Sequence, residues 1–224
     1  MIILAHRANY DGCVKARENS LVATKFCLEQ GWGIETDVRR APDGCFYISH
    51  DLATLTEANQ AEAFCALFRC YPLATIALNI KELGYESEIL QYLAKQQVIQ
   101  QVFLFDMELL ETQAGQTARL FRELNSEIKL AARISDRDES IERALDVTSA
   151  NVIWLDEFDR LWVTEHDIKR LKYANKTVYA ISPEIHDFSL DEMQRRWHEF
   201  YTWGVDGICT DYAMLLAQKL KDLG

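Results

Sequence analysis

The chain has 224 residues, 49% of them hydrophobic, and a formal net charge of −11 from 24 basic and 35 acidic residues. The length suits one large α/β domain or two small ones, and the apolar fraction can build a core without metals or disulfides to staple it. The acidic balance argues against a general nucleic-acid binder and against an electrostatic membrane anchor, both of which need basic faces.

From the N-terminus, short apolar runs alternate with longer amphipathic ones, the pattern of an α/β domain. Ile2–Ala5 reads as a strand that ends at His6-Arg7, and residues 18–30 read as a helix. Gly33–Val38 is the second strand. After the turn Pro42-Asp43-Gly44, the run Cys45–Ser49 folds back on that strand as a hairpin extension and ends at His50-Asp51. Helices are then expected near 57–69, 85–97, 107–124, 138–147, 164–175, 189–202 and 212–222. Strands are expected at Thr75–Ile80, Val102–Phe105, Ile128–Ile134, Val152–Leu155, Thr177–Ile181 and Gly207–Thr210. Ser189 with Glu192 spells a capping box, and Thr164 and Asp211 are expected N-caps.

Eight strands alternating with eight helices predict a single (β/α)8 TIM barrel over residues 1–224, with an open doubly wound sheet as the runner-up. No linker or low-complexity segment divides the chain. Barrels of this kind average about 250 residues, so this one is lean. The stretch from Asp51 to Ala74 has room for a loop and a helix but for no inserted lid domain, and the mouth is expected to be open. The six cysteines form no C-x-x-C pair, so neither a disulfide framework nor a zinc site is expected. No leader and no stable membrane anchor are evident, since no apolar run approaches the roughly 18 residues of a span. A cytoplasmic protein, monomer or homodimer, is the expectation.

Polar side chains then appear where a barrel wants apolar ones. In Gly33–Val38, Ile34, Thr36 and Val38 share one face while Glu35 and Asp37 share the other. With the apolar face under the helices, both carboxylates point into the lumen, where they repel each other and lose hydration. A bound cation is the simplest neutraliser. Asn79 and Lys81 repeat the phase on the third strand, and Arg133 does so on the fifth. His6 and His50 end their strands at the same, functional end of the barrel, where two imidazoles suit general acid–base work near neutral pH. Asp106, Asp156 and Glu184 are further rim candidates, and Trp154 is expected as an apolar wall. A second guanidinium, Arg133, suits bidentate binding of an anion. His166, His186 and His198 are placed on the surface.

These residues resemble the N-terminal signature of the glycerophosphodiester phosphodiesterases. His6-Arg7, Glu18-Asn19-Ser20, Glu35-Thr36-Asp37-Val38, Asp43-Gly44 and Ser49-His50-Asp51 stand in the family's order, and Val205–Asp211 resembles its closing strand. The resemblance implies hydrolysis of a small glycerophosphodiester to an alcohol and glycerol 3-phosphate, with Mg2+ or Ca2+. It makes His6 and His50 the acid–base pair, Arg7 a phosphate contact, Glu35 and Asp37 metal ligands, and Glu18 a support of the metal and phosphate region. Lys81 keeps the family's Lys position. The attacking group is water or a neighbouring substrate hydroxyl.

Three departures stand out. Ala8 replaces a Gly after His-Arg, where the backbone then has less freedom. Asn79 occupies the place of the third metal-binding carboxylate, which removes a charge and predicts weaker metal binding. The end of the seventh strand, Tyr179–Glu184, is rebuilt. These departures leave two other readings open: a phosphoryl-ligand-binding barrel without turnover, and a cyclising phosphodiester lyase of the phospholipase C type.

Overall fold

The structure is a computed structural model that describes residues 1–223. Among the described residues, eight parallel strands close into a barrel and a ninth lies outside it. The barrel strands are β1 (Ile2–His6), β2 (Gly33–Arg40), β4 (Ile76–Ile80), β5 (Val102–Phe105), β6 (Lys129–Ile134), β7 (Val152–Leu155), β8 (Thr177–Ile181) and β9 (Gly207–Thr210). They pair in that order, and β9 returns to β1 to close the ring. The extra strand β3 (Phe46–Ile48) runs antiparallel to the end of β2, with Val38 opposite Ile48. The TIM barrel and its hairpin extension are therefore observed, and the open-sheet alternative is not.

The helices α1 (Leu21–Glu29), α2 (Ala61–Cys70), α3 (Glu86–Lys95), α4 (Gln116–Leu124), α5 (Ile141–Asp146), α6 (Glu165–Tyr173), α7 (Leu190–Trp203) and α8 (Ala213–Leu223) ring the barrel. Between β3 and α2 there is only the loop 49–60. Capping boxes at Thr164–Asp167 and Ser189–Glu192 start α6 and α7. Two sequence expectations need correcting. The helix expected over 107–124 begins only at Gln116, because Asp106 and Gly115 take left-handed backbone and leave a short 3-10 turn between them. Asp211 does not cap α8, which starts at Ala213. Its carboxylate turns instead into the barrel mouth.

Two cores result from the strand alternation. The larger lies between strands and helices, and the smaller fills the lumen with Leu4, Phe103, Phe105, Trp154, Tyr179 and their neighbours. Fit is tight at the N-terminal end of the barrel. A Cβ on Gly33 would sit 2.4 Å from the Thr75 carbonyl oxygen, and one on Gly207 would sit 2.7 Å from the Tyr179 ring. Large side chains on neighbouring strands occupy what these glycines leave free. The lumen turns polar toward the strands' C-terminal ends, and there it opens.

Candidate active site

A cavity of about 520 Å³ occupies that end, lined on one side by His6, Arg7, Glu35, Asp37, His50, Asn79 and Lys81. Each is delivered by strand phase or by the residue that follows a strand. His6 ends β1, and its Nδ1 lies 2.9 Å from Asp211 Oδ1, which also accepts from Asn9 Nδ2 at 2.9 Å. This leaves Nε2 toward Glu35, 3.9 Å away. His50 follows β3, its Nδ1 lying 2.8 Å from Asp51 Oδ1, and its carbonyl accepts from Arg39 Nη2 at 2.7 Å. Both imidazoles are thus held through Nδ1, with Nε2 free of that bond.

Arg7 and Ala8 sit at φ 48° and 63°, left-handed backbone that costs a non-glycine residue about 1–2 kcal/mol. The turn is held in place: Arg7 N donates to Glu35 Oε2 at 3.1 Å, and Asn19 N donates to the Arg7 carbonyl at 2.7 Å. The Arg7 guanidinium reaches Glu18 at 3.2 Å and Asp37 at 3.7 Å. Glu18 also pairs with Lys15 at 3.1 Å, so its nearest partners are cations on its own side of the mouth. Asn19 Nδ2 donates to Asp37 Oδ2 at 3.0 Å, while Thr36 Oγ1 donates to Asn19 Oδ1 at 2.7 Å.

The adjacent carboxylates diverge electrostatically. Burial, reinforced by Asp37, pushes Glu35 well above the ordinary carboxylate range. Burial works the same way on Asp37, but Lys81 (3.0 Å), Arg7 and the Asn19 bond outweigh it and hold Asp37 low. The imidazoles diverge too. Burial would lower His6, yet Asp211 and Glu35 lift it above the usual value. Burial, with Arg7 and Lys81 adding to it against the Asp51 bond, holds His50 below.

The other side of the cavity is a closed network. Arg133 spans Asp106 through Nη1 and Asp156 through Nη2, with Glu139 3.6 Å from Nε. The guanidinium expected to clamp an anion is thus already occupied on its outer edge. His186 corrects its surface assignment: it lines the cavity, bonds Asp156 through Nε2 and packs on Phe158 at 4.5 Å. It sits on a 3-10 turn after β8, where no periodicity marks it. His166 and His198 are exposed, as expected. Trp154 lies in the cavity wall, packed on Phe105 at 4.2 Å. Glu184 ties β8 to β9 instead, accepting from Ser182, Thr210 and Asp211 N.

No protein-family model and no curated protein matches the chain. Solved structures do. A glycerophosphodiester phosphodiesterase from Agrobacterium tumefaciens superposes with a TM-score of 0.70 at 18% identity, covering 97% of this chain and 99% of that one. One from Parabacteroides distasonis gives 0.75 at 15%, with 99% and 97% covered. An Oleispira antarctica phosphodiesterase in complex with the product sn-glycerol-3-phosphate gives 0.69 at 16%, with 99% and 97% covered. The chain has the fold of these phosphodiesterases.

Whether the mouth suits a cation can be asked of its own atoms. Asp37 Oδ1 and Asn79 Oδ1 are buried without a well-formed hydrogen bond, although Lys81 Nζ stands near the former. Asp37 and Asn79 are register partners on β2 and β4, so these oxygens belong to adjacent positions. Two carboxylates and an amide oxygen make a hard donor set that suits Mg2+ or Ca2+. Among the described residues, no three His, Cys, Asp or Glu side chains converge as a metal centre. Among the described residues, no helix is long and apolar enough to cross a membrane.

Proposed function

We propose that this protein is a metal-dependent phosphodiester hydrolase that cleaves glycerophosphodiesters or related small phosphodiesters to an alcohol and a phosphomonoester. One observation carries the reading. Two imidazoles, each anchored by an aspartate at Nδ1, line one cavity with Arg7, Lys81 and the Glu35–Asp37 pair. The fold shared with phosphodiesterases supports it, one of them holding sn-glycerol-3-phosphate as product.

Arg7 and Lys81 face the phosphoryl oxygens and offset their charge. His50, held toward its neutral form, accepts the proton of the attacking water at Nε2. His6, held toward its charged form, donates from Nε2 to the departing alkoxide. Asp211 and Asp51 fix the ring orientations that these transfers require. Glu35, Asp37 and Asn79 would hold Mg2+ or Ca2+, which when bound supplies Lewis-acid polarisation of the phosphoryl group. Glu18 keeps Arg7 extended into the mouth.

The test is turnover of glycerophosphocholine, glycerophosphoethanolamine and an aryl phosphodiester by purified protein with Mg2+, Ca2+ or chelator. Turnover that the chelator removes is expected. Folded protein inert toward all three with either ion would overturn the reading. Analysis of products separates hydrolysis from cyclisation, because a lyase accumulates cyclic phosphate.

A further inference from the structure

Asn79 is an unusual ligand because its amide has two ends and only one of them can bind a cation. Something has to decide which end faces the mouth. In the structure, Nδ2 donates to Asp106 Oδ2 at 2.8 Å, and Oδ1 is left buried and unbonded in the cavity wall. Asn79 is only 7% exposed. Asp106 comes from the end of β5, the next strand round the barrel, and its other oxygen accepts from Arg133 Nη1. Asp106 Oδ2 is thus the acceptor for Asn79 Nδ2, and Arg133 holds the carboxylate in place.

We infer that Asp106 is a positioning residue: by accepting from Asn79 Nδ2 it orients the Asn79 amide oxygen, beside Asp37 Oδ1, as the third ligand of a divalent cation. The inference rests on the metal-dependent reading above. It gives a chain that lacks the third carboxylate a second carboxylate one strand away. That group acts through the amide instead of touching the ion. The physical reason is general: partners behind a metal ligand fix its orientation, and removing one typically costs about 10–100-fold in metal affinity.

Asp106→Asn tests this sharply. Arg133 retains the side-chain oxygen of the new amide, so its NH2 faces Asn79 and draws the Asn79 oxygen away from the mouth. A carboxylate at position 79 has two equivalent oxygens and needs no orienting. Calorimetric titration with Mg2+ and with Ca2+ alone, on wild type, D106N, N79D and the double variant N79D/D106N, reads binding without any need for turnover. Wild type is expected to bind, D106N to bind about 10–100-fold more weakly, and D106N to cost nothing in the N79D background, or to gain affinity there by relieving the repulsion between the two carboxylates. An equal loss in both backgrounds would overturn the inference, since Asp106 would then act through its charge alone. Wild-type affinity in D106N would also overturn it. No binding by the wild type would remove the metal reading and the inference together, whereas binding with an equal loss in both backgrounds leaves that reading standing. Thermal melts of each variant show that the protein titrated is folded, and the double variant keeps the comparison informative if D106N alone is unstable.

Discussion

The two sides of the barrel mouth use similar side chains and leave them in different states. On the side built by β9, β1, β2 and β4, the buried Asn79 Oδ1 has no partner, Arg7 Nε and Asp37 Oδ1 have only ion-pair neighbours, Asp37 Oδ2 at 3.7 Å and Lys81 Nζ at 3.0 Å, and both histidines keep Nε2 clear of their aspartates. On the side built by β5 to β8, Arg133 has both Nη groups on carboxylates and Asp156 holds Arg133 and His186 at once. Even Arg133 Nε, which lacks a formal bond, faces Glu139 at 3.6 Å. Unsatisfied buried groups cost free energy that a folded protein normally avoids. They occur on both sides, with Glu108 Oε2 on the second, so the difference lies in the imidazoles: only the first side leaves two with Nε2 free, and the second is the frame that holds its partner in place. Asn79 sits at the seam, with its nitrogen in the frame and its oxygen in the site.

The largest expected effect separates the sides by chemistry. His6→Ala or His50→Ala lowers kcat/KM by about 10²–10⁴-fold, whereas His186→Ala, on the closed side, lowers it by less than about 10-fold in the same assay. A loss for His186→Ala as large as that for His50→Ala would break the comparison. Stability separates the sides in the opposite sense. Arg133→Met leaves Asp106 with the Asn79 amide and Asp156 with His186 but removes the buried cation between them, and is expected to cost about 3–5 kcal/mol in denaturant unfolding. Arg7→Met costs less, because Asp37 keeps Lys81 and Asn19.

Glu108 sharpens the description of the frame. Burial lifts its carboxyl to about 7 from 4.5, and its Oε1 accepts from Arg133 N. The folded protein therefore binds more protons than the unfolded chain across that window. This part of the stability is present below about pH 4.5 and is lost as pH rises toward 7, by about 3 kcal/mol at most. Melts of Glu108→Gln between pH 5 and 8 are expected to fall less steeply than those of the wild type. The smallest effect belongs to the open side: Mg2+ or Ca2+ at tenfold over Kd stabilises the wild type by about 1.4 kcal/mol, and Glu35→Gln is expected to lose that shift.

The sequence was most informative where strand phase and strand ends carry the message. Glu35, Asp37, Asn79, Lys81 and Arg133 could be placed on the lumen face because alternation along a strand is strict, and all five line the cavity. The same phase, continued through Gly207 and Cys209, would have turned Asp211 inward. In sequence it is indistinguishable from a helix cap, because caps and strand-end aspartates look alike. His186 carried no signal, since a 3-10 turn after a proline has no period to follow. Nor could the pairing of Arg133 be read from sequence, because its partners Asp156 and Asp106 follow other strands, 23 and 27 residues away. Whether a guanidinium is free or spoken for depends on register between strands, which a single sequence does not give.

The most direct test follows the phosphorus. In ³¹P NMR of glycerophosphocholine incubated with the purified protein and Mg2+ or Ca2+, the diester resonance is expected to give way to that of a phosphomonoester. The His6→Ala/His50→Ala double variant is expected to leave the diester intact. A diester untouched by folded wild type, or one cleaved equally well by the double variant, would contradict hydrolysis by this pair.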